Sequence, residues 1–331
     1  MGNGLANLHN ARRGRTPMVN VVGDHSRSHK RLDAPLESDI DAVAGTVSGW
    51  VRRSLTPADV AADAAEAVAA ASSAPGAIAT LILPADVSWE DGAAVAAPLP
   101  RRPAPQVAAT VIEDVAAVLA SGEPTVLFLG GDAVVGEEGL LAAARIAAGT
   151  GIRLMTETFP ARTTRGAGLP DVVRLPYPPE MAIAALAGTR HLVLAGAQSP
   201  VHFFGYPDMP GHPVPDGCTV HVLSEPGEDG VAALTALAGR AAPDAVPDLL
   251  EASRPELPTG ALTPRTMNAV IGALLPENAI VVDEALTSGV GLHELTSGAP
   301  RHDWLALTGG AIGAGLPMAL GAAIARPDRP V

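Results

Sequence analysis

Cysteine, aromatic residues and basic residues are all scarce in this 331-residue sequence. Cys218 has no second cysteine to pair with, so an intramolecular disulfide is excluded and a reducing, cytoplasmic location is expected. Lys and Arg number 22 against 35 Asp and Glu, which gives a net charge of −13. Because phosphate-binding surfaces need clustered cations, we expect neither a nucleic acid nor an anionic membrane as a partner.

Long hydrophobic runs are absent as well. No window approaches the ~18–20 uninterrupted apolar residues of a membrane-spanning helix, and the first residues lack the basic and apolar regions of a signal peptide. The sequence is nevertheless 47% hydrophobic with only 3% aromatic residues, and the apolar residues are mostly Ala, Val and Leu. This composition suits helices packed on buried parallel strands.

Two proline-rich stretches divide the chain. Its 331 residues exceed the roughly 100–200 residues of one domain. The prolines within 92–106 and 241–262 favour extended linkers. We therefore predict three α/β domains, which span residues 1–103, 104–250 and 251–331.

The middle segment alternates helical and strand patterns. This alternation is typical of a doubly wound parallel sheet, and the middle domain is expected to be complete. The predicted elements are helices at 108–120, 137–148 and 229–239 and strands at 125–129, 152–155, 191–195 and 219–223.

The flanking segments contain fewer predicted elements. Thr56-Pro57 and Thr263-Pro264 each combine an N-cap threonine with a proline at the first helical position, so each predicts a helix start. Residues 17–22 (PMVNVV) are expected to form a buried strand, and residues 327–331 the approach to another. The other predicted elements are helices at 4–13, 56–72 and 311–325 and strands at 77–83 and 279–283.

Two segments of the third domain are best suited to a ligand, because open α/β sheets bind ligands beyond the carboxyl ends of their strands. Residues 281–288 (VVDEALTS) place hydroxyls and N–H groups where a phosphate would bind, but helix capping by Thr287 and Ser288 explains them equally well. The glycines of 307–317 permit close approach to a flat ligand, although such glycines more often serve helix packing.

Two features of the middle domain have both a structural and a functional interpretation. Residues 202–206 (HFFGY) gather three of the six Phe and Tyr residues, which either wall a pocket or, as we favour, fill a hydrophobic corner. Residues 129–132 (LGGD) resemble a dinucleotide-binding turn, but the full Gly-x-Gly-x-x-Gly pattern is missing, so FAD is an alternative that is not favoured.

The candidate segments also carry a family resemblance. LTGGAIGAGLPMALGAAIARPDRPV (307–331) closely resembles the start of the diphosphate-binding domain of thiamine-diphosphate-dependent 2-oxo-acid enzymes of the acetolactate synthase and benzoylformate decarboxylase type. VVDEALTSG (281–289) resembles the strand end before it. GNGLANLHNARRGRTPMVNVVGDH (2–25) and PADVSW (84–89) resemble parts of the pyrimidine-binding domain. The likeness spans nearly the whole chain and is weakest in the middle.

The resemblance implies an α/β fold of three doubly wound parallel-sheet units, of which the outer two are incomplete, and thiamine diphosphate with Mg²⁺ as cofactors. The family's cofactor-activating glutamate would precede Met1, and its Gly-Asp-Gly segment and asparagine, which hold Mg²⁺, would follow Val331. We therefore expect no metal ligand in this chain, and we expect the chain alone neither to bind the cofactor tightly nor to turn over.

Matched positions transfer the family's cofactor contacts to this sequence by resemblance. Gly310 would offer its carbonyl to the 4′-amino group of the aminopyrimidine, and Ile312 would hold the cofactor in its bent shape. Thr287 would lie at the diphosphate, with Glu284 near it. Leu286 stands where some relatives have threonine, which implies a backbone contact there. The full expected set is Glu284, Leu286, Thr287, Ser288, Gly310, Ala311 and Ile312.

Asp24 and His25 are the candidate catalytic residues on the substrate side, because the strand that they follow faces the reacting centre in the family. Many acetolactate synthases have glutamine at the Asp24 position, so the sequence departs from their pattern there.

The function implied by the resemblance is decarboxylation and carboligation of 2-oxo acids to acetolactate-like products, as in branched-chain amino acid biosynthesis. The family's active site lies between subunits, which implies a homodimer or homotetramer. One alternative is simple decarboxylation, as in benzoylformate decarboxylase. The other is a non-catalytic remnant whose middle domain binds a nucleotide or a partner.

Overall fold

Three parallel strands form the sheet of the first of two units in the chain. The computed structural model describes residues 1–331. The first unit consists of Met1–Ala104 together with Thr308–Ala311. The strand order is β1-β3-β2. The elements are α1 (Leu5–Arg13), β1 (Met18–Asp24), α2 (Arg27–Lys30), α3 (Ile40–Gly45), β2 (Trp50–Arg53), α4 (Val60–Ser72), β3 (Ile78–Pro84) and α5 (Ala85–Trp89).

Strand β1 is less buried than the sequence suggested. Its Val19 and Val21 side chains are 38% and 60% exposed, whereas Ile78 and Ile82 of β3 are 1% and 0% exposed. The strand predicted at 17–22 is therefore present, at Met18–Asp24, but the prediction that it is buried is wrong at Val19 and Val21, because β1 lies at the edge of the sheet and β3 at its centre. An apolar run by itself does not distinguish the two positions.

Helix α4 also begins later than its Thr-Pro pattern indicated. Thr56 donates its backbone N–H and its hydroxyl to Asp59 Oδ2, at 3.0 and 2.7 Å. These bonds hold a turn, and the helix begins only at Val60. The similar Thr263-Pro264 pattern is confirmed, because Thr263 and Thr266 cap each other's backbone N–H groups at the start of a helix.

The second unit contains Pro105–Leu307 and Ile312–Val331. Its larger sheet is fully parallel, in the order β7-β5-β4-β8-β9. Central strand β4 is buried along its whole length, with Phe128 1% exposed. The elements of this part are α6 (Ala109–Ala120), β4 (Thr125–Leu129), α7 (Glu138–Thr150), β5 (Arg153–Thr156), β6 (Arg162–Arg165), β7 (Val173–Arg174), α8 (Pro179–Leu186), β8 (His191–Ala195), β9 (Thr219–Ser224) and α9 (Gly230–Ala241).

A second, mixed sheet of the same unit was not predicted. Its order is β10-β11-β6, with β10 and β11 parallel and β11 and β6 antiparallel. Strand β6 (RTTR) has no apolar run; Arg162 and Thr164 instead bind Asp303 of β11, at 2.9 Å each. The elements that follow α9 are α10 (Pro264–Leu274), β10 (Ile280–Asp283), α11 (Leu292–Leu295), β11 (His302–Ala306) and α12 (Gly315–Ala325).

The last residues of the chain contact β10. Ile280 N donates to Pro330 O at 2.8 Å, although residues 327–331 form no strand themselves. None of the helices is long and apolar enough to cross a lipid bilayer. The division into domains at 1–103, 104–250 and 251–331 stays a prediction.

Candidate functional site

The loop after β10 is held in one conformation by its own polar groups. Asp283 Oδ1 accepts from Ala285 N at 3.0 Å, and the Ser288 hydroxyl donates to Ala285 O at 2.9 Å. Buried Asn268 of α10 donates to Ser288 O at 2.9 Å and to Val290 O at 3.1 Å. The Ser288 hydroxyl is therefore used within the loop, while Thr287 is exposed.

Glu284 caps the N-terminus of helix α12. Its Oε1 accepts from Gly313 N at 2.5 Å and Ala314 N at 3.1 Å, and its Oε2 accepts from Gly315 N at 2.9 Å. The hydrogen bond from Gly315, together with those from Gly313 and Ala314, outweighs burial and lowers the pKa of Glu284. These N–H groups are consequently not available to a phosphate.

An open cleft of about 530 Å³ lies between this loop and the start of α12. Two large apolar side chains, Leu286 and Ile312, are 54% and 73% exposed, and both line the cleft. Leu286 has a positive φ of 37°, which is rare for a residue with a branched side chain. The lining residues are Pro264, Glu284, Ala285, Leu286, Thr287, Ser288, Ile312 and Gly313.

Gly310 and Ala311 belong to the first unit. Both backbone polar groups of Ala311 bind Asn10: Asn10 Nδ2 donates to Ala311 O at 2.7 Å, and Ala311 N donates to Asn10 Oδ1 at 3.1 Å. Gly309 is required by close packing, because a Cβ there would lie 2.6 Å from Asn10 Oδ1. Gly310 has a φ of 73° and open space around it.

Asp24 is held in an ion-pair network at the end of β1. Its side chain, only 2% exposed, contacts the Arg53 guanidinium and lies 3.4 Å from Lys30 Nζ. It also accepts from His25 N at 2.7 Å. Burial by itself raises the pKa of Asp24, but the hydrogen bonds from Arg53 and His25 and the charges of Arg53 and Lys30 lower it overall. Asp24 is thus an ionised carboxylate with cationic partners.

The His25 ring contacts a second histidine ring, His29, at a tilted angle of 51°. The His25 and His29 rings lie with centroids 5.3 Å apart. No group of three or more His, Cys, Asp or Glu side chains is arranged to hold a metal ion. The role of Asp24 and His25 on the substrate side stays a prediction.

The aromatic segment after β8 contacts other aromatic rings but remains exposed. Phe203 lies 4.9 Å from Tyr177 and 5.4 Å from Phe159 by ring centroids. Phe203 and Phe204 are nevertheless 49% and 61% exposed. The favoured prediction of a filled hydrophobic corner is therefore only half right, because these rings contact one another without being buried.

The glycines of the predicted dinucleotide-binding turn pack against the chain itself. A Cβ on Gly130 would lie 2.9 Å from the Ala197 Cβ, and one on Gly131 would lie 3.0 Å from Gly196 O. The neighbouring carboxylate, Asp132, accepts from Gly230 N at 3.0 Å. Its pKa is raised, because burial outweighs that hydrogen bond. Close packing thus accounts for both glycines.

Sequence reasoning missed the two asparagines that position the candidate segments. Asn10 binds the backbone of Ala311, and Asn268 holds the loop through Ser288 and Val290. Neither asparagine stands in a local pattern that predicts its partner. Asn10 lies within the helical string that carries the family resemblance, and this was the only signal.

Comparison with known proteins gives one curated relative by sequence. No protein-family model matches the chain. It is 62% identical over 332 residues to IlvX of Mycobacterium tuberculosis, which is named provisionally as an acetolactate synthase large subunit. The alignment covers 100% of this chain and 63% of IlvX.

Solved structures with the same fold have low sequence identity to the chain. The thiamine diphosphate-dependent 4-hydroxybenzoylformate decarboxylase of Rhodococcus jostii RHA1 matches with a TM-score of 0.78 and 21% identity, over 99% of this chain and 66% of that one. Benzoylformate decarboxylase from Polynucleobacter necessarius matches with a TM-score of 0.70 and 19% identity, over 100% and 66%.

These comparisons confirm the resemblance and the α/β fold class that the sequence predicted. The chain spans just under two thirds of the length of the relatives that it matches.

Proposed function

We propose that this chain forms part of a thiamine-diphosphate-dependent enzyme that decarboxylates 2-oxo acids and joins the product to a second carbonyl compound, as acetolactate synthases do. The proposal is supported by 62% identity to IlvX across the whole chain. The Leu286–Ile312 cleft is the structural observation that carries it.

The cleft suits the ring part of the cofactor better than its diphosphate. Leu286 and Ile312 offer exposed apolar surface against which an aromatic ring loses contact with water. The exposed Thr287 is the side chain with a hydroxyl to offer a phosphate, since the Ser288 hydroxyl and the N–H groups of Gly313 and Gly315 are already used. Tight diphosphate binding therefore needs Mg²⁺ and ligands from elsewhere.

Four side chains of the cleft have a stated role in this proposal. Leu286 and Ile312 hold the cofactor rings and exclude water from them. Thr287 donates to the diphosphate. Glu284 positions Gly313 and the N-terminus of α12, because its carboxylate is committed to their N–H groups. When bound, thiamine diphosphate supplies the electron sink that the side chains lack.

Mg²⁺, a homodimer or homotetramer, a cytoplasmic location and a place in branched-chain amino acid biosynthesis belong to the same proposal. FAD is not part of it, because the glycines of the candidate turn pack against the chain.

Simple decarboxylation is the second candidate function. Two observations favour it: Asp24 occupies the position of an acetolactate synthase glutamine, and the structural relatives include benzoylformate decarboxylases. In this case the product is an aldehyde, and no second 2-oxo acid is joined to it.

The test compares two polypeptides. One is the product of the complete reading frame in which this chain lies, and the other is the 331-residue chain itself. Both are supplied with thiamine diphosphate and Mg²⁺ and assayed with pyruvate and with benzoylformate. Acetolactate from pyruvate supports carboligation, whereas aldehyde alone supports the second candidate. If both polypeptides bind ADP or FAD but not thiamine diphosphate, the proposal is overturned in favour of a non-catalytic remnant.

Truncation of the cleft side chains tests the site. Ile312→Ala and Leu286→Ala are each expected to weaken binding of the cofactor to the complete product roughly tenfold, because each removes apolar contact area. Val246→Ala removes an apolar side chain that is 83% exposed in the same unit, so it should leave the dissociation constant unchanged. If Val246→Ala weakens cofactor binding as much as Ile312→Ala and Leu286→Ala do, the cofactor does not bind in this cleft.

A further inference from the structure

The loop after β10 contains a turn whose backbone conformation does not suit the residue that it carries. Ser288 N donates to Ala285 O at 3.0 Å, so residues 285–288 form a β-turn in which Leu286 takes the second position. Leu286 has a φ of 37°. A positive φ at this position favours Gly, Asn or Asp, because the Cβ of other residues lies too close to the backbone. Leucine is therefore strained there.

The Leu286 side chain does not offset this strain by packing. It is 54% exposed and lines the open cleft, so its apolar surface stays in water, which is unfavourable as well. A glycine at position 286 would avoid both the strain and the exposed apolar surface. Leucine at this position therefore serves something other than the stability of the free chain.

Side-chain hydrogen bonds hold the backbone on both sides of the strained position. Before it, Asp283 Oδ1 accepts from Ala285 N at 3.0 Å. After it, Asn268 Nδ2 donates to Ser288 O at 2.9 Å and to Val290 O at 3.1 Å. Asn268 is 1% exposed and belongs to helix α10, so the loop is attached to a regular element. Backbone strain persists only where the surroundings fix the chain in this way.

The residue after the turn restricts it further. Gly289 N donates to Ala285 O at 3.3 Å and to Leu286 O at 3.2 Å. A Cβ on Gly289 would lie 3.0 Å from the Ala285 Cβ, so the two ends of the turn are already in close contact. The loop therefore has little room in which Leu286 could relax.

We propose that this strained turn presents the Leu286 side chain to the rings of a ligand in the cleft, and that Asn268 is the positioning residue that holds it there. The inference rests on the proposed function, in which the ligand is thiamine diphosphate. A ring that covers Leu286 removes its apolar surface from water. Because the turn is already ordered in the free chain, binding requires no ordering of the loop and is stronger for that reason. The free chain is less stable in return.

Thermal unfolding of the full 331-residue chain measures the strain. Leu286→Gly is expected to melt roughly 2 °C above Leu286→Ala, because glycine adopts a positive φ without a clash and alanine does not. Val246→Gly and Val246→Ala are the matched control pair: Val246 is 83% exposed in the same unit and has a negative φ, so the glycine variant should melt at or below the alanine variant. Equal melting of the two Leu286 variants would overturn the proposal.

Titration calorimetry of the complete product with thiamine diphosphate and Mg²⁺ measures the consequence for binding. Leu286→Gly should weaken binding roughly tenfold or more, because it removes the side chain and frees the backbone. Asn268→Ala keeps the Leu286 side chain but releases the loop, so it should weaken binding roughly fivefold. It should also abolish the melting difference between glycine and alanine at position 286, because the released turn relaxes.

The two measurements separate this inference from the proposed function. If the unaltered product binds no thiamine diphosphate, the proposed function fails and the presentation of Leu286 to that ligand fails with it. Normal binding, combined with equal melting of the glycine and alanine variants, overturns the strained turn alone. A Leu286→Gly product that melts higher and binds as tightly as the unaltered product also overturns the inference. Should Asn268→Ala fail to fold, the Leu286 variants decide.

Discussion

The Asn10 side chain forms two hydrogen bonds with the backbone of Ala311, 301 residues away in sequence. Its Nδ2 donates to the carbonyl at 2.7 Å, and its Oδ1 accepts from the N–H at 3.1 Å. Thr308 adds a third link, because its hydroxyl donates to Asn10 O at 2.7 Å. These hydrogen bonds attach the glycine-rich segment near the end of the chain to helix α1 near the beginning of the chain.

Asn10→Asp is expected to lower the free energy of unfolding by about 1–3 kcal/mol. The carboxylate loses the donor to Ala311 O and places a negative charge beside that carbonyl, and Asn10 is only 7% exposed. Urea denaturation measures the change. Asn3→Asp introduces the same charge at an exposed position and should have little effect. Similar losses in both variants would mean that added charge, and not the Ala311 contact, is responsible.

Glu284→Gln is expected to destabilise the chain by about 1 kcal/mol at pH 7, because a neutral amide caps α12 more weakly than a carboxylate. The folded-state pKa of Glu284 lies below its ordinary value of 4.5. The stabilisation is therefore fully present above that value and is lost as the pH falls through the lower, folded-state pKa.

Urea denaturation of the unaltered chain and of Glu284→Gln at a series of pH values from 7 to 3 measures this dependence. The two proteins should converge at the acid end. Glu277→Gln changes an exposed carboxylate and serves as the control, with no change expected at any pH. A difference at Glu284 that stays constant down to pH 3 would contradict the capping account.

Asp303→Asn is expected to lower the free energy of unfolding by about 3 kcal/mol, because it leaves the buried Arg329 guanidinium without its carboxylate. Asp303 is 7% exposed in its side chain and binds Arg329 at 2.6 Å and Arg162 at 2.9 Å. Burial raises the pKa of Asp303, but the bonds from Arg162, Arg329 and Thr164 lower it overall. The carboxylate is therefore ionised at neutral pH.

Thermal and urea unfolding of Asp303→Asn are compared with those of Asp328→Asn. Asp328 pairs with Arg326 on the surface, where both side chains are more than half exposed, so no measurable loss is expected there. The destabilisation caused by Asp303→Asn should mostly disappear when Arg329→Gln is already present, because the Arg329 side chain is only 11% exposed. It should remain nearly complete when Arg162→Gln is present, because the Arg162 side chain is 47% exposed. The opposite order would mean that burial does not determine the strength of the pair.

Local chemistry made several elements predictable. Strand β4 at Thr125–Leu129 and strand β8 at His191–Ala195 have the predicted bounds, because short runs of apolar residues between turn residues indicate buried strands. The helix cap at Thr263 was also predictable, because its partner Thr266 is a near neighbour in sequence. The cleft residues Glu284 and Ile312 were recognisable because they stand in strings that carry a family resemblance.

Strand β6 shows why other elements were not predictable. Its RTTR sequence has no apolar period, and it becomes a strand because Arg162 and Thr164 meet Asp303 across the sheet. Glu284 was expected beside a diphosphate, but its hydrogen-bond partners are the N–H groups of Gly313, Ala314 and Gly315. In both places the decisive contact joins residues distant in sequence, and no local pattern records it.

The sequence by itself determined the α/β class, the parallel strands of the larger sheet, the helix start at Thr263 and the family resemblance. These properties depend on propensity, periodicity and short-range capping, which neighbouring residues specify. Only the tertiary structure decided that Asn10 holds Ala311, that Glu284 caps α12 and that Asp303 pairs with Arg162 and Arg329. Those features depend on which distant side chains folding brings within hydrogen-bonding distance, and on which charges it removes from water.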